Sequence, residues 1–247
     1  MKKNSWQQDI SKSEYVHAFL RSAAILQVIT YLFYHSIAGS ICFLPILIFY
    51  MKYWENQQES KLKSRFEVEF KDYLQALAAA LRTGYAVENA MREARKDIGQ
   101  QYKVSTRIMR DTTIMERLLE MNMPVEYAWK EWADRVQVDA VEQFTLVFIV
   151  AKRSGGDSVA IIRKSIDSIC EKLEMEAEIK VILASKKFEF QIMSVIPLGI
   201  LIYMKLSFPD FMAILYESLA GTILMTLCLI AYGAAVVWGN KIVQIEV

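Results

Sequence analysis

The chain has 247 residues, 54% of them hydrophobic, yet it carries 29 basic and 28 acidic side chains with a net charge of +1. A chain both so apolar and so charged must segregate the two kinds of residue, and this one has apolar ends and a charged middle. The balanced charge gives no argument for nucleic-acid binding, which would need a concentrated basic surface. Three distant cysteines, Cys42, Cys170 and Cys228, exclude a disulfide framework or CxxC metal site.

Residues 1–17 read as a polar tail. Two apolar stretches follow, "AFLRSAAILQVITYLFY" (18–34) and "SIAGSICFLPILIFYM" (36–51). A bilayer core takes about 20 mostly apolar residues per helix, with about 17 as a lower bound. The second stretch is slightly short, and Tyr50, Tyr53 and Trp54 extend it with interfacial aromatics. Arg21 is close enough to the start of the first to snorkel, and Gln27 suits a hydrogen bond to a neighbouring helix. No small-residue cleavage site follows, so the first stretch is not read as a signal peptide. Residues 18–51 are expected to form a tight transmembrane hairpin around His35. Both histidines, His17 and His35, sit at the membrane edge and supply no ligand cluster.

Residues 52–189 carry a helical period almost throughout. Phe66, Phe70, Tyr73, Leu77 and Leu81 recur at three and four, with charges on the other faces. Val141, Phe144, Phe148 and Ala151 repeat the pattern, as do Ile162, Ile166, Ile169 and Leu173. Three segments share a layout: "LRTGYAVENA" (81–90), "LEMNMPVEYA" (119–128) and "KRSGGDSVAI" (152–161). Each is an apolar helix end, a Gly or Asn that tolerates the left-handed conformation, and a new helix start. Gly84, Asn122, Gly155 and Gly156 are the expected helix-closing residues. Pro124 suits a first helical turn, and Glu88, Glu126 and Asp157 place negative charge at helix starts. The three corners predict a bundle of about six helices with short connections.

"AKRSGGDSVAIIRKS" (151–165) also invites a phosphate-loop reading. A Walker loop needs GxxxxGK[ST], and here Lys164–Ser165 lies too far along the next helix. Neither GxGxxG, HExxH nor GxSxG occurs, and no nucleophile can be paired with a histidine. No catalytic, cofactor-binding or metal-binding residue is therefore assigned. The charged runs "MREARKD" (91–97) and "EKLEMEAE" (171–178) read first as solvated helix faces with i,i+4 pairs, and second as docking faces.

"EKLEMEAEIK" runs without a breaker into a third apolar stretch, "FQIMSVIPLGILIYMKL" (190–206), which a loop (207–221) joins to a fourth, "GTILMTLCLIAYGAAVVW" (221–238). Residues 190–240 are the second expected transmembrane hairpin, and 241–247 a short tail. Twenty-three of the 29 basic residues fall in 52–189 and none in the 207–221 loop, which places both termini and the central region in the cytoplasm. Lys205 is the discordant charge. The expected fold is thus all-α: a polytopic membrane protein with a cytoplasmic helical bundle between two transmembrane hairpins.

The runs "FKDYLQALAAALRTGYAVENAMREA", "MERLLEMNMPVEYAWKEWADRV" and "IVAKRSGGDSVAIIRKSIDSICEKLEMEAEIKVILASKK" resemble the type II secretion system F domain. The resemblance covers about residues 60–240 and is closest to the single-domain TadB/TadC branch, the platform proteins of tight-adherence (type IVc) pili. Members often have Gly where this chain has Asn122. The resemblance implies a non-enzymatic inner-membrane platform that couples a secretion ATPase to pilin assembly. Implied partners are the ATPase, a second F-domain platform protein, pilin subunits and the lipid bilayer, in a homo- or hetero-oligomer without nucleic acid. A membrane-embedded scaffold or signalling module that docks another cytoplasmic partner is the alternative.

Overall fold

The computed structural model describes residue 6 and residues 12–34, 44–154 and 158–243. Among the described residues the regular elements are all helices: α1 (Lys12–Tyr34), α2 (Leu44–Arg82), α3 (Val87–Ile98), α4 (Arg107–Glu120), α5 (Val125–Val136), α6 (Asp139–Ser154), α7 (Ser158–Ser207), α8 (Pro209–Glu217) and α9 (Leu219–Val243). They fall into two compact units. One comprises Met1–Asp9 and Gln58–Ala177, the other Ile10–Gln57 and Glu178–Val247. The long helices α2 and α7 each contribute residues to both.

The first unit, here the helical unit, is built from the second half of α2, then α3 to α6, and the first part of α7. Its core follows from the three- and four-residue spacing of large apolar side chains. Phe66, Phe70, Leu74 and Leu77 of α2 are buried, as are Val141, Phe144 and Phe148 of α6 and Ile162 and Ile166 of α7. Helix α5 adds Trp129 and Trp132, both fully buried. The Trp129 ring meets Phe144 edge-on at 4.6 Å, and Trp132 meets Phe70 at 5.5 Å. Each such side chain contributes about 1.5–3 kcal/mol by leaving water, and ring pairs add about 0.5–1.5 kcal/mol. Truncating Trp129 to alanine would cost about 3–5 kcal/mol, the range for removing a fully buried aromatic side chain.

Helix α4 starts without a side-chain cap from its own flank, Thr106. The cap comes instead from α2, where buried Glu69 accepts the backbone N–H of Ile108. A carboxylate at a helix amino terminus also complements the helix dipole. Burial is the larger effect, however, and it raises the Glu69 pKa above the usual carboxylate range.

In the second unit α8 and α9 pack together and α1 packs on α9. Leu32, Phe33 and Met225 form a small buried cluster there. The Tyr216 hydroxyl donates to the Leu32 carbonyl, and the Tyr232 hydroxyl donates to the Ser194 carbonyl at 2.7 Å. Gly239 of α9 lies against Phe190, and a Cβ there would fall 2.1 Å from the ring. The 207–221 stretch, expected as a loop, instead holds α8. Pro209 opens it, where proline's fixed φ and missing N–H suit the first helical turn.

Four membrane-spanning stretches are expected from the sequence. Among the described residues two helices, α7 and α9, are long and apolar enough to cross a membrane. Helix α1 is diluted by Lys12, Glu14, His17, Arg21 and Gln27, and the 36–51 stretch lies partly outside the described residues. The exposed side chains of α9 include Ile223, Leu227, Ile230, Val237 and Trp238. A long apolar helix with so much exposed apolar surface suits hydrocarbon as its solvent.

Helix α7 changes character along its length. Its buried residues, Ile162, Ile166, Ile169, Cys170 and Leu173, all lie in the first third. Beyond them Val181, Ile182, Phe188, Ile192, Val195 and Ile196 are exposed. An amphipathic core helix thus continues, with no break in the helix, through a charged exposed stretch (174–189) into an apolar one that contains Pro197. Proline inside a helix removes one backbone bond, a defect that membrane helices accommodate.

Candidate interaction site

The corner residues singled out by the sequence occupy one recurring backbone geometry where they are described. Gly84 has φ 90° and Asn122 has φ 56°. Behind Gly84 the chain closes α2 with two bonds, Gly84 N–H to the Leu81 carbonyl (3.2 Å) and Tyr85 N–H to the Ala80 carbonyl (3.3 Å). Behind Asn122 it closes α4 in the same way, with Asn122 N–H to Leu119 and Met123 N–H to Leu118, both 3.0 Å. This is the Schellman arrangement, which satisfies carbonyls that the helix end leaves open. Helices α3 and α5 then begin three residues after Gly84 and Asn122 respectively. Pro124 is the cap residue just before α5, one place earlier than a first-turn position, and its carbonyl accepts from Tyr127 and Ala128. Gly155, Gly156 and Asp157 lie outside the described residues.

The two repeated corners share a partner. Glu88 and Glu126 are equivalent first-turn residues of α3 and α5. Lys152, in the last turn of α6, reaches both: Nζ is 3.3 Å from Glu88 Oε1 and 3.5 Å from Glu126 Oε2. Its charge also complements the carbonyl end of α6, as each glutamate complements the amino end of its own helix. Beside these corners Tyr85, Met121 and Tyr127 are exposed.

A second feature is a buried charge network that the sequence did not reveal. Asp111 of α4 is 5% exposed. Its carboxylate lies 3.3 Å from Arg135 Nη2 and 3.7 Å from Arg107 Nε, and accepts from Trp132 Nε1–H at 3.3 Å. Burial raises the Asp111 pKa, while Arg135, then Arg107, pull it down. Desolvation wins, so this carboxyl is more easily protonated than a solvated aspartate. Arg135 also pairs with Glu131 at 3.3 Å.

Elsewhere the charged runs are mostly exposed, with a few side chains engaged within the unit. In 91–97, Met91 and Ala94 are buried and Arg95 pairs with Glu116 across to α4. In 171–178, Leu173 is buried, Glu174 pairs with Lys71 at 3.3 Å, and Lys172 lies 3.8 Å from Glu176. Cys170 is buried and its thiol pKa is pushed up to about 11, chiefly by that burial, which leaves it a poor nucleophile. An open groove of about 590 Å³ runs between α6 and α7, with Leu146, Val147 and Ile161 as its apolar wall and Gln143 and Lys164 at its rim. Among the described residues no His, Cys, Asp and Glu group is arranged to hold a metal ion. The helical unit thus presents helix ends pinned by charge, and exposed apolar strips on a well-packed core.

The sequence matches the family described as "Type II secretion system (T2SS), protein F" over residues 73–205, more than half of the chain. The chain belongs to this family, whose members are generally non-enzymatic platform proteins associated with the inner membrane. They generally work with secretion ATPases and pilin-assembly machinery. Comparison with curated proteins and with solved structures gives no match.

Proposed function

We propose that this chain is a TadB/TadC-type platform protein of a tight-adherence pilus or related secretion machine. In this role it docks a cytoplasmic secretion ATPase and couples ATP-driven movement to the assembly of pilin subunits. Residues 52–189 form the cytoplasmic domain, with transmembrane hairpins at 18–51 and 190–240 and both termini in the cytoplasm. A second F-domain platform protein is its partner in the membrane.

The observation that carries this reading is α7. Its first third is part of the helical core inside the family-matched region, a charged stretch follows, and its last part, from 190 on, is predominantly apolar and exposed. A continuous helix is the simplest element for passing displacement from a folded cytoplasmic domain to a membrane span, because its backbone bonds resist local shear. The lack of basic residues in 207–221, against 23 in 52–189, supports the orientation.

Co-purification tests the proposal. Full-length protein solubilised in mild detergent should retain a hexameric secretion ATPase from the same cell, and substitutions on α6 and α7 exposed faces (Leu146→Asp, Ile161→Asp) should map the contact. Retention of no ATPase, together with nucleotide turnover by the purified chain alone, would replace the platform reading with an enzymatic one.

A further inference from the structure

Trp6 belongs to the helical unit, although the remainder of that unit begins at Gln58. It is 2% exposed. Its indole N–H donates to the Val136 carbonyl at 2.8 Å, one of the last carbonyls of α5, which no later turn of that helix can satisfy. The Arg107 guanidinium lies 3.8 Å from the ring centroid, and Phe66 meets the ring edge-on at 5.5 Å. An acceptor for the N–H, a cation over the π face and an aromatic edge together make a specific receptor for an indole.

The walls of this socket are held by groups other than Trp6. Asp111 pairs with Arg107 and Arg135 and accepts from Trp132, while Trp132 also packs on Phe70 and Tyr73. The receptor is therefore preorganised. In the sequence Trp6 lies in a polar stretch, six positions before α1 begins.

We propose that this socket is a peptide-binding site whose ligand is the chain's own amino-terminal sequence, held in cis through Trp6 and exchangeable. The socket keeps its shape when Trp6 leaves, and the same site then accepts the same amino-terminal sequence supplied in trans. This goes beyond the platform reading and does not depend on it.

The test uses full-length protein in detergent micelles and a fluorescein-labelled peptide of residues 1–11, MKKNSWQQDIS. Trp6→Ala protein should keep its helical circular dichroism and bind the peptide saturably by anisotropy. Wild-type protein, its socket filled, should bind at least about tenfold more weakly, by the competition that an occupied site imposes. The peptide with alanine in place of Trp6 should not bind. Adding Arg107→Ala to the Trp6→Ala protein should weaken binding about fivefold, the scale of one cation–π contact. Trp6→Phe protein, which keeps a ring but loses the donor, should yield its socket to the free peptide at lower concentration than wild type. Three outcomes overturn the proposal: loss of helical content in Trp6→Ala, no peptide binding to that folded variant, or equal binding to wild type. The first two make Trp6 a sealed part of the core, and the third leaves the socket without its cis ligand.

Discussion

Replacing Asp111 by alanine removes the one carboxylate shared by Arg107, Arg135 and Trp132. The side chains of the two arginines are only 12% and 26% exposed, so two largely buried guanidinium groups would lose their shared anion. Breaking a buried pair from one side costs about 3–5 kcal/mol. Arg135 keeps Glu131 at 3.3 Å, which argues for the lower end, about 3 kcal/mol. Asp111→Asn keeps an acceptor for the Trp132 N–H and should cost less, about 1–2 kcal/mol. Burial pushes the Asp111 pKa up against the pull of the arginines. Desolvation offsets much of the attraction in a buried ion network, so the triple change Asp111→Leu, Arg107→Met, Arg135→Met should lose less than Asp111→Ala alone. Urea unfolding of the full-length protein in micelles, followed by tryptophan fluorescence and circular dichroism, measures all three. Stability of Asp111→Ala within about 0.5 kcal/mol of wild type, the scatter of ordinary surface changes, would refute the reasoning. A triple variant weaker than the single would do the same.

Other expectations follow from the corners and the cap. Gly84→Ala should cost about 1–2 kcal/mol from backbone strain alone, because nothing lies within 4 Å of the added Cβ. Asn122→Gly should be neutral or slightly stabilising and Asn122→Val destabilising by about 1–3 kcal/mol, both read from thermal melts. Lys152→Met should cost no more than about 1 kcal/mol, since all three charged partners are partly solvated, and a double-mutant cycle with Glu88→Gln and Glu126→Gln should divide that coupling between the two corners. Glu69 has its pKa raised in the folded state. Its contribution is therefore greatest when it is protonated, below the unfolded carboxylate pKa, and is lost as pH rises through the folded value. The stability of wild type relative to Glu69→Gln should rise as pH falls through that window in denaturation curves. A difference that is flat with pH, or that moves the other way, would show that Glu69 does not titrate as the burial of its carboxyl requires.

Much of the fold was legible because the core follows helical spacing. Phe66, Phe70, Leu77, Val141, Phe144, Phe148, Ile162 and Ile166 carry the period in the sequence and are buried in the structure. The unbroken run from 171 into the third apolar stretch was likewise readable, because no glycine or proline interrupts it before Pro197. Other features had no local signal. Gln137 closes α5 at φ 52°, a left-handed position that neither glycine nor asparagine announces. Helix α8 lay hidden in a stretch too short to show a clear period. Asp111, Glu69, Lys152 and Trp6 act through partners on other elements, Trp6 through a carbonyl 130 positions away. Single-sequence periodicity reports which face of a helix is buried, but it cannot say which distant charge or carbonyl that face will meet. The same limit applies to function. The glycine corners pointed to the family, while the groups that tie those corners together emerged only from the fold.

Loss of surface filaments on removal of the protein tests the central claim most directly. In a strain that lacks this chain but retains its pilins and secretion ATPase, electron microscopy should show no filaments, with pilin left in the inner membrane. Expression of the wild-type chain should restore them. Filaments of normal number and length in the deletion strain would contradict the account.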